Sequence, residues 1–278
     1  MSVKTVSFQK PKPDLHRVSG KPFRQMDFNL RKILFRFDNT QYLGLSGIFV
    51  RENLNAAHHL TAKTPMDIFL IIAGFVVAYL TGSLPTALWY GQAFHGIDIR
   101  EYGSGNAGAT NTFRVLGKKA GSLVMLVDVF KGWTAASIAT IIMHLGAFTE
   151  PNLITYQLCI GITAVIGHVF PLYASFRGGK GVAALLGVVL AIHVEAALLC
   201  IVIFFVVVMA SKYVSLGSMI AALAFPLLLL MPRFSPDDPI LIVFGFAMFA
   251  IVVLTHQKNI IRLMHGEESR AKIRLRKK

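Results

Sequence analysis

The side chains that could do chemistry in this sequence gather first in one glycine-rich segment, residues 96–114. Neutral hydrogen-bonding residues alternate there with glycines, and an arginine closes the segment; the set is Gly103, Ser104, Gly105, Asn106, Asn111 and Arg114. Glycine lets main-chain amides approach an anion, and the guanidinium fork of arginine matches a phosphate. The segment therefore predicts a phosphate-binding loop; the alternative is an ordinary glycine-rich turn between helices.

A second glycine-rich segment, residues 176–182, surrounds a lysine and precedes a strongly apolar stretch. Its candidate ligands are Gly178, Gly179, Lys180 and Gly181. Amides freed by glycine, a lysine charge and the amino end of a following helix would together attract a phosphate. A nucleotide-hydrolysing P-loop is disfavoured, because Gly181 stands where that loop needs Ser or Thr and a helix is expected before it. The alternative is a flexible basic turn.

Two further polar segments complete the set. Ser215 and Ser218 lie in a hydroxyl-rich stretch, residues 211–218, for which capping of a membrane helix is the simpler interpretation. His256, Asn259 and Arg262 recur at helical spacing, so one helix face would present an imidazole, an amide and a guanidinium. The alternative for this last segment is a solvated amphipathic tail.

The elements that must position these segments lie in a membrane. Of the 278 residues, 54% are hydrophobic and 15% are charged, and the mean hydropathy is +0.59, which excludes a soluble globular domain. The formal net charge of +14 comes from Lys and Arg around the apolar runs, so topology explains it better than nucleic-acid binding. Cys159 and Cys200 lie in apolar runs and no His has ligand spacing, so neither a disulfide framework nor a metal site is expected.

Six apolar runs approach or exceed the length of about 20 helical residues that crosses a bilayer. They are residues 68–90, 120–145, 153–173, 182–210, 214–231 and 239–255. The fourth run carries His193 and Glu195 near its middle, so it is either one tilted helix or a hairpin of two short helices. In the second run, Asp128 and Lys131 are expected to pair with each other or with a facing loop.

The distribution of positive charge decides the topology. With a hairpin in the fourth run, nearly every Lys and Arg of the loops after residue 66 falls on the inside, and Arg233 alone lies outside. A single helix in the fourth run would instead place Lys212 and the basic tail outside, against the positive-inside rule. We therefore predict an all-α, polytopic integral membrane bundle of about seven transmembrane helices with a cytoplasmic carboxyl terminus. All four polar segments then face the cytoplasm and converge on one site.

Residues 1–65 differ from the rest of the chain, because they are basic and include no run long enough to span a bilayer. Two interpretations are open: the extension is a basic arm at the membrane surface, or Met66 is the true start. The predicted topology favours the second interpretation, since it places the cations of the extension outside. The predicted division is a poorly ordered extension, 1–65, and a transmembrane domain, 66–278.

Ordered motifs from residue 66 to residue 274 give the sequence a resemblance to the bacterial acyl-phosphate:glycerol-3-phosphate acyltransferases, the PlsY family. The motifs are Thr81-Gly-Ser-Leu-Pro85, the glycine-rich segment ending at Arg114, Asp128-Val-Phe-Lys-Gly132, Gly167-His-Val-Phe-Pro171, Arg177-Gly-Gly-Lys-Gly-Val182, Tyr213-Val-Ser-Leu and the tail from His256. A single glycine-rich motif would be weak evidence. Their order and spacing together are typical of the family.

The resemblance implies a role for each matching position. The catalytic positions match Ser104, Arg114, His256 and Asn259. The loop that binds glycerol-3-phosphate matches Gly178, Gly179, Lys180 and Gly181. Ser215 and Ser218 align with a hydroxyl region near the substrates, Arg262 adds positive charge, and Glu268 matches a glutamate that maintains the integrity of the protein.

The implied reaction is attack of the 1-hydroxyl of glycerol-3-phosphate on the carbonyl of a long-chain acyl phosphate. It yields 1-acyl-glycerol-3-phosphate (lysophosphatidate) and phosphate, the first step of phospholipid synthesis. Direct transfer is favoured over an acyl-serine because the donor is already activated, but whether Ser104 is a nucleophile or a hydrogen-bond donor stays open. A phosphate oxygen of the donor could accept the hydroxyl proton, and His256 is the second candidate base.

The resemblance implies no cofactor. It implies as partners the two substrates, the bilayer and other enzymes of phospholipid synthesis. It places the protein in the bacterial inner membrane with its site on the cytoplasmic face. The competing hypothesis is a transporter of a phosphorylated solute, but such a protein binds its solute near the bilayer midplane on broken helices. A structural membrane scaffold is the third hypothesis, and it would not need Lys, Arg, His, Ser and Asn on one face.

Overall fold

The computed structural model describes residues 64–271, and within this range every regular element is helical. The predicted all-α fold is therefore confirmed. The α-helices in chain order are α1 (Pro65–Gly82), α2 (Thr86–His95), α3 (Ala109–Val115), α4 (Gly117–His144), α5 (Leu153–Val169), α6 (Val182–Ile192), α7 (Val194–Ser211), α8 (Val214–Leu229), α9 (Ile240–Thr255) and α10 (Gln257–Met264). Short 3-10 turns lie at Ile99–Glu101, Glu150–Asn152 and Leu172–Ala174.

The lengths and apolar composition of these helices make the chain a multi-pass membrane protein. Four described stretches can cross a membrane: Pro65–His95, which joins α1 to α2, then α4, then Leu153–Ala174, and α7. Helices α9 and α10 would add a fifth span if they cross together, although they are bent by 63° at His256. Helices α6 and α8 are apolar but shorter. The count of seven stays a prediction.

Helix α1 begins just before the predicted boundary at Met66. The hydroxyl of Thr64 accepts a hydrogen bond from the Asp67 amide at 3.2 Å, and the Asp67 carboxylate accepts one from the Thr64 amide at 2.8 Å. A division at residue 66 therefore cuts through the cap of α1. The rest of the predicted extension, residues 1–63, lies outside the described residues.

The fourth apolar run divides at His193, as the hairpin interpretation predicts. The His193 ring caps the start of α7, because its Nδ1 accepts a hydrogen bond from the Ala196 amide at 3.3 Å. The other ring nitrogen lies 3.1 Å from the main-chain oxygen of Phe234, and Arg233 pairs with Glu195 at 2.8 Å. The junction of α6 and α7 therefore contacts the loop between α8 and α9.

Helix α4 is the central element, against which α6 packs closely. Gly132 of α4 faces the main chain of α6 at Ala184, and Gly187 of α6 faces the main chain of α4 at Val129. A side chain at either glycine would push the helices apart. The second glycine-rich segment leads into α6, so this close approach fixes where that segment lies.

An ion pair is buried in α4, where Lys131 Nζ lies 2.7 Å from Asp128 Oδ1. The same amine donates to the carbonyl of Leu84 at 2.6 Å, in the break between α1 and α2. Lys131 therefore makes both of the predicted contacts, the ion pair with Asp128 and a hydrogen bond to a facing loop. Burying the pair requires this compensation, because an isolated charge inside a membrane protein is costly.

Candidate active site

One cavity of about 450 Å³ receives side chains from all four polar segments. Its polar end is lined by Ser104, Asn106, Asn111, Arg114, Lys180, Gly181, Ser215, Ser218, His256, Asn259 and Glu268. The rest of the cavity, which we call the apolar arm, runs between α4, α6, α7, α8 and α9 and includes Leu186, Val189, Phe204, Phe225, Phe244 and Met248. Residues from distant parts of the sequence thus form one site with a polar end and an apolar end.

The segment Gly103–Gly108, which we call the serine loop, is shaped by one buried amide side chain. Asn111 Oδ1 accepts from the Ser104 amide at 2.8 Å and from the Ser104 hydroxyl at 3.2 Å. Asn111 Nδ2 donates to the carbonyls of Ile99 and Tyr102, each at 3.0 Å. Asn111 is therefore the internal anchor of the loop, and Ser104 is held at its exposed tip.

The segment Gly178–Gly181, which we call the lysine loop, differs from the prediction in its first two residues. The amides of Gly178 and Gly179 donate to the carbonyls of Val169 and His168, at 3.2 and 3.1 Å. These amides thus close the end of α5 and are not free for an anion in this structure, so the binding role of Gly178 and Gly179 stays a prediction. Gly178 and Gly179 do not line the main cavity, and the ring of His168 lies directly against Gly179. Glycine is needed at both positions for close packing.

Arg100 links the two loops. Its guanidinium pairs with Asp98 at 2.6 Å and donates to the carbonyl of Ala174, just before the lysine loop, at 3.1 Å. The hydrogen bond from Arg100 also lowers the pKa of Asp98 below its usual value. Sequence reasoning missed this residue, because an arginine next to an aspartate in a loop gives no signal of a distant contact.

The lysine loop presents its charge to the cavity through a chain of hydrogen bonds. Lys180 Nζ donates to Asn259 Oδ1, and Asn259 Nδ2 donates to Glu268 Oε1 at 2.7 Å. Ser215 donates to the same oxygen at 3.0 Å, and Arg262 Nε donates to the other oxygen of Glu268 at 3.0 Å. Glu268 is 7% exposed; it contacts the 211–218 segment and α10 directly and is connected to Lys180 through Asn259. Its predicted structural role fits this position, and it also lines the cavity.

Burial changes the acid strength of Lys180. Desolvation is the main cause that lowers its pKa to about 8, and the charges of Arg262 and Arg114 lower the pKa further. The carboxylate of Glu268 acts in the opposite direction and raises the pKa. Lys180 is therefore still largely protonated at neutral pH but loses its charge under mildly alkaline conditions.

His256 lies where α9 bends into α10, and its ring is buried. Nδ1 lies 2.7 Å from the carbonyl oxygen of Val252, and because a carbonyl only accepts, Nδ1 carries the proton. Nε2 is then an acceptor, and within the described residues it has no hydrogen-bond partner. A neutral ring at the cavity wall can therefore accept a hydrogen bond or a proton.

The remaining predicted residues divide between the cavity wall and its support. Ser215 and Ser218 both line the cavity, but Ser218 donates back to the Val214 carbonyl at 3.0 Å, and only Ser215 reaches Glu268. Arg262 does not line the cavity, because its guanidinium is held by Glu268. Only Nε of Arg262 is engaged in this way, and the direct substrate contact expected of Arg262 stays a prediction.

Two glycines of the serine loop also support the site from behind. Gly103 and Gly105 do not line the cavity and have φ angles of +63° and +73°. Glycine adopts this left-handed region without the strain that other residues suffer. These two positions therefore shape the turn that carries Ser104, and Gly103 also leaves room for the side chain of Asn111.

Sequence reasoning missed the apolar arm. Its residues belong to continuous apolar runs, in which a wall of a cavity and a lipid-facing surface have the same composition. The sequence also indicates no role for His168, although this residue lies in the motif Gly167-His-Val-Phe-Pro171. No periodic pattern distinguishes these positions from ordinary membrane helix residues.

A model of the family described as glycerol-3-phosphate acyltransferase matches residues 72–266 of this chain. The chain belongs to the glycerol-3-phosphate acyltransferase family. Proteins named glycerol-3-phosphate acyltransferase from Chlorobaculum tepidum and Salinibacter ruber are 43% and 40% identical to this acyltransferase. The alignments cover 72% and 70% of this chain and 95% and 89% of those proteins.

Solved structures of the family have the same fold. Two crystal structures of PlsY (YgiH), an integral membrane glycerol 3-phosphate acyltransferase, match with TM-scores of 0.62 and 0.61 at 35% and 34% identity. Each match covers 74% of this chain and 95% of PlsY; one structure is the glycerol 3-phosphate form and the other the lysophosphatidic acid form. The predicted family is thus confirmed, and the chain is a membrane acyltransferase rather than a transporter or a scaffold. Its family places it in phospholipid biosynthesis.

Proposed function

We propose that this acyltransferase transfers a long-chain acyl group from acyl phosphate to the 1-hydroxyl of glycerol-3-phosphate. The products would be 1-acyl-glycerol-3-phosphate and inorganic phosphate. The observation that carries the proposal is the single cavity with a cationic polar end and an apolar arm. One substrate is a small dianion and the other joins an anionic head to a hydrocarbon chain, so the two kinds of surface match the pair.

Glycerol-3-phosphate would bind at the polar end through its phosphate. Arg114 can present two N–H groups to phosphate oxygens, and Lys180 can add an ammonium group that Asn259 already orients. Gly181 has a φ of +79° at the amino end of α6, where helical amides favour an anion. Charge-assisted hydrogen bonds of this kind are stronger than neutral ones.

The acyl chain would occupy the apolar arm, which leaves the acyl carbonyl at the junction between the arm and the polar end. The 1-hydroxyl oxygen would form a bond to the carbonyl carbon, and the bond from that carbon to the phosphate oxygen would break. The hydroxyl proton would pass to an oxygen of the departing phosphate. His256 Nε2 is the alternative acceptor, because the proton on Nδ1 leaves Nε2 a lone pair and His256 lines the cavity.

Ser104 would act as a hydrogen-bond donor to the acyl phosphate. Its hydroxyl lies at the cavity wall, and in this structure its single proton is donated to Asn111 Oδ1 at 3.2 Å; turned to a bound acyl phosphate, the same proton would stabilise charge that develops on the carbonyl or phosphate oxygens. A nucleophilic serine would need a base in hydrogen-bond contact. Among the described residues the Ser104 hydroxyl contacts only the amide oxygen of Asn111, which is not a base.

We further propose the bacterial inner membrane as the location, with the active site and the carboxyl terminus in the cytoplasm. The support is the concentration of Lys and Arg in the loops that carry the site. A glycerol-3-phosphate site on this face would meet a soluble substrate and a membrane-bound donor at once. Other enzymes of phospholipid synthesis, which make the donor or use the product, are the proposed neighbours.

The test is a reaction of the purified full-length chain in detergent with palmitoyl phosphate and glycerol-3-phosphate. We expect 1-palmitoyl-glycerol-3-phosphate and phosphate in equal amounts, and neither product when glycerol-3-phosphate is left out. Palmitoyl-coenzyme A in place of the acyl phosphate is the control for the donor. Transfer from the thioester at a comparable rate, or hydrolysis without an acceptor, would contradict the proposal.

The role of the basic extension has a matched test. We propose that residues 1–62 are not needed for acyl transfer, because the cap of α1 begins at Thr64. A chain that starts at Lys63 keeps this cap and should retain full turnover, whereas a chain that starts at Met66 lacks it and should be less stable. A loss of turnover in the longer variant would make the extension functional.

A further inference from the structure

The apolar arm ends in a closed floor. Cys200, Phe225 and Phe244 line the deep end of the cavity, and the first two are each 6% exposed. Behind them lie Leu229 and Leu241, which are almost completely buried and do not line the cavity. The arm is therefore bounded by a packed hydrophobic cluster and does not continue into the lipid at this end.

Helices α8 and α9 also seal the floor by approaching each other closely. A side chain at Gly245 of α9 would come within 2.9 Å of the Pro226 ring on α8. No gap wide enough for a hydrocarbon chain is left between the two helices at this level. An acyl chain that reaches Phe225 must stop or bend there.

The shallow half of the arm is different, because its walls include residues open to the membrane. Leu126 of α4 and Phe205 of α7 line the cavity and are 63% and 54% exposed. An acyl phosphate dissolved in the bilayer can therefore enter from the side between these helices. Its chain end then occupies the enclosed half of the arm, where Cys200 and Phe225 are each only 6% exposed.

The depth of the arm follows from the helix that forms its wall. From Ser215 at the polar end to Phe225 at the floor, α8 rises by roughly 15 Å at about 1.5 Å per residue. An extended hydrocarbon chain advances by about 1.3 Å per carbon, since its single bonds of about 1.5 Å form a zigzag. The arm thus holds roughly a dozen extended carbons beyond the carbonyl.

We propose that the floor at Phe225 sets the longest acyl chain that the enzyme uses efficiently. This inference rests on the proposed function and adds the specificity of the acyl subsite. Methylene groups within the arm exchange one apolar environment for another, because the chain comes from the bilayer, so they change the affinity little. Carbons beyond the floor gain nothing and force the chain to bend, so efficiency should fall sharply past this length.

Two substitutions on one face of α8 test the proposal in opposite directions. Phe225→Ala removes the floor, and Ala221→Leu fills the arm one helical turn above it. Leu227→Ala is the control, because Leu227 is on the same helix but is exposed and does not line the cavity. The full-length variants are assayed for kcat/KM with lauroyl, myristoyl, palmitoyl, stearoyl and arachidoyl phosphate at saturating glycerol-3-phosphate.

We expect Phe225→Ala to shift the optimum to longer chains and Ala221→Leu to shift it to shorter chains. Each shift should change the ratio of the palmitoyl to the lauroyl rate by about tenfold or more, because chain ends that find no room in the arm must be forced into a packed core. Leu227→Ala should keep the wild-type profile. The same profile in all four proteins, with turnover intact, would overturn the proposal.

Cys200 gives a second readout that does not depend on turnover. In a Cys159→Ala background, an apolar maleimide should alkylate Cys200 through the arm, and lauroyl phosphate, whose chain reaches the floor, should slow the alkylation at least tenfold more than octanoyl phosphate, whose chain does not. Equal protection of Cys200 by the two lipids would overturn the proposal that the floor limits the chain length. This readout tests the floor even if Phe225→Ala fails to fold. It also tests the floor if the wild-type protein does not turn over acyl phosphate, a result that would refute only the proposed function.

Discussion

The serine loop and the lysine loop have similar glycine-rich sequences but are built in opposite ways. In the serine loop, the side chain of Asn111 satisfies the main chain of the loop, so the tip that carries Ser104 needs no contact with another helix. In the lysine loop, the main chain itself bonds to the end of α5, and the side chain of Lys180 extends to Asn259. Glycine thus serves turn geometry in one loop and close packing in the other.

This difference predicts where a methyl group is tolerated, and it gives the largest expected effect. A Cβ on Gly178 would meet the main chain of α5 and the Pro171 ring, so Gly178→Ala should destabilise the protein by about 3 kcal/mol. A Cβ on Gly108 would meet the side-chain oxygen of Asn106 at 3.0 Å and, at the ordinary contact distance of 3.9 Å, the Cα atom of Gly179. Gly108→Ala should therefore cost less than about 1 kcal/mol.

The measurement is thermal unfolding of the two full-length variants in the same detergent. The melting temperature should fall clearly for Gly178→Ala and stay near the wild-type value for Gly108→Ala. Similar melting temperatures for both variants would refute the difference between the two loops.

The anchor of the serine loop gives the second prediction. Asn111→Ala would leave the Ser104 amide unpaired and would remove one of the two hydrogen bonds that the carbonyls of Ile99 and Tyr102 each accept, and Asn111 is only 1% exposed. Because Ser104 would lose its position, turnover should fall by about 100-fold. Asn111→Asp keeps the acceptor for Ser104 but turns a carboxylate oxygen toward the carbonyls of Ile99 and Tyr102, so it should lower turnover at least as much. An unchanged kcat in a folded Asn111→Ala protein would contradict the role of Asn111 as the anchor of the serine loop.

The lysine loop predicts a pH effect instead. The pKa of Lys180 is lowered to about 8, so the ammonium charge is present below that pH and is lost as the pH rises through it. The KM for glycerol-3-phosphate should therefore increase above pH 8, with a smaller change in kcat. Lys180→Arg keeps its charge throughout this range and should remove the increase. A pH-independent KM in wild type would argue against a role for this charge.

The smallest expected effect concerns Glu268. Its carboxylate raises the pKa of Lys180, and Glu268→Gln keeps an oxygen for Asn259 and Ser215 but removes the charge. The increase in KM should then begin at a lower pH than in wild type, with near-normal kcat at pH 6. A KM profile identical to that of wild type would show that the carboxylate does not influence Lys180.

The sequence predicted the membrane class, the break at His193 and the meeting of four polar segments. Each of these depends on features that a sequence displays directly: apolar length, a polar pair inside a long run, and charge distribution. The convergence followed from topology, because segments on one side of a short-looped bundle lie close together.

The internal contacts of the loops could not be read in this way. Asn111 and Ser104 are both neutral polar residues in a glycine-rich segment, and only the fold decides which one is buried as the anchor of the loop and which one lies at its exposed tip. The amides of Gly178 and Gly179 are likewise committed by α5, which ends nine and ten residues earlier. The apolar arm is hidden because its wall and the lipid-facing surface use the same residue types.

The most direct test of this account is equilibrium binding of glycerol-3-phosphate to the full-length protein in detergent at pH 7. The charge of the polar end should bind the phosphate, so Lys180→Ala should weaken binding about tenfold or more. Ser104→Ala should bind nearly as well as wild type while turning over far more slowly. Equal affinity in wild type and Lys180→Ala would contradict the assignment of the lysine loop to this substrate.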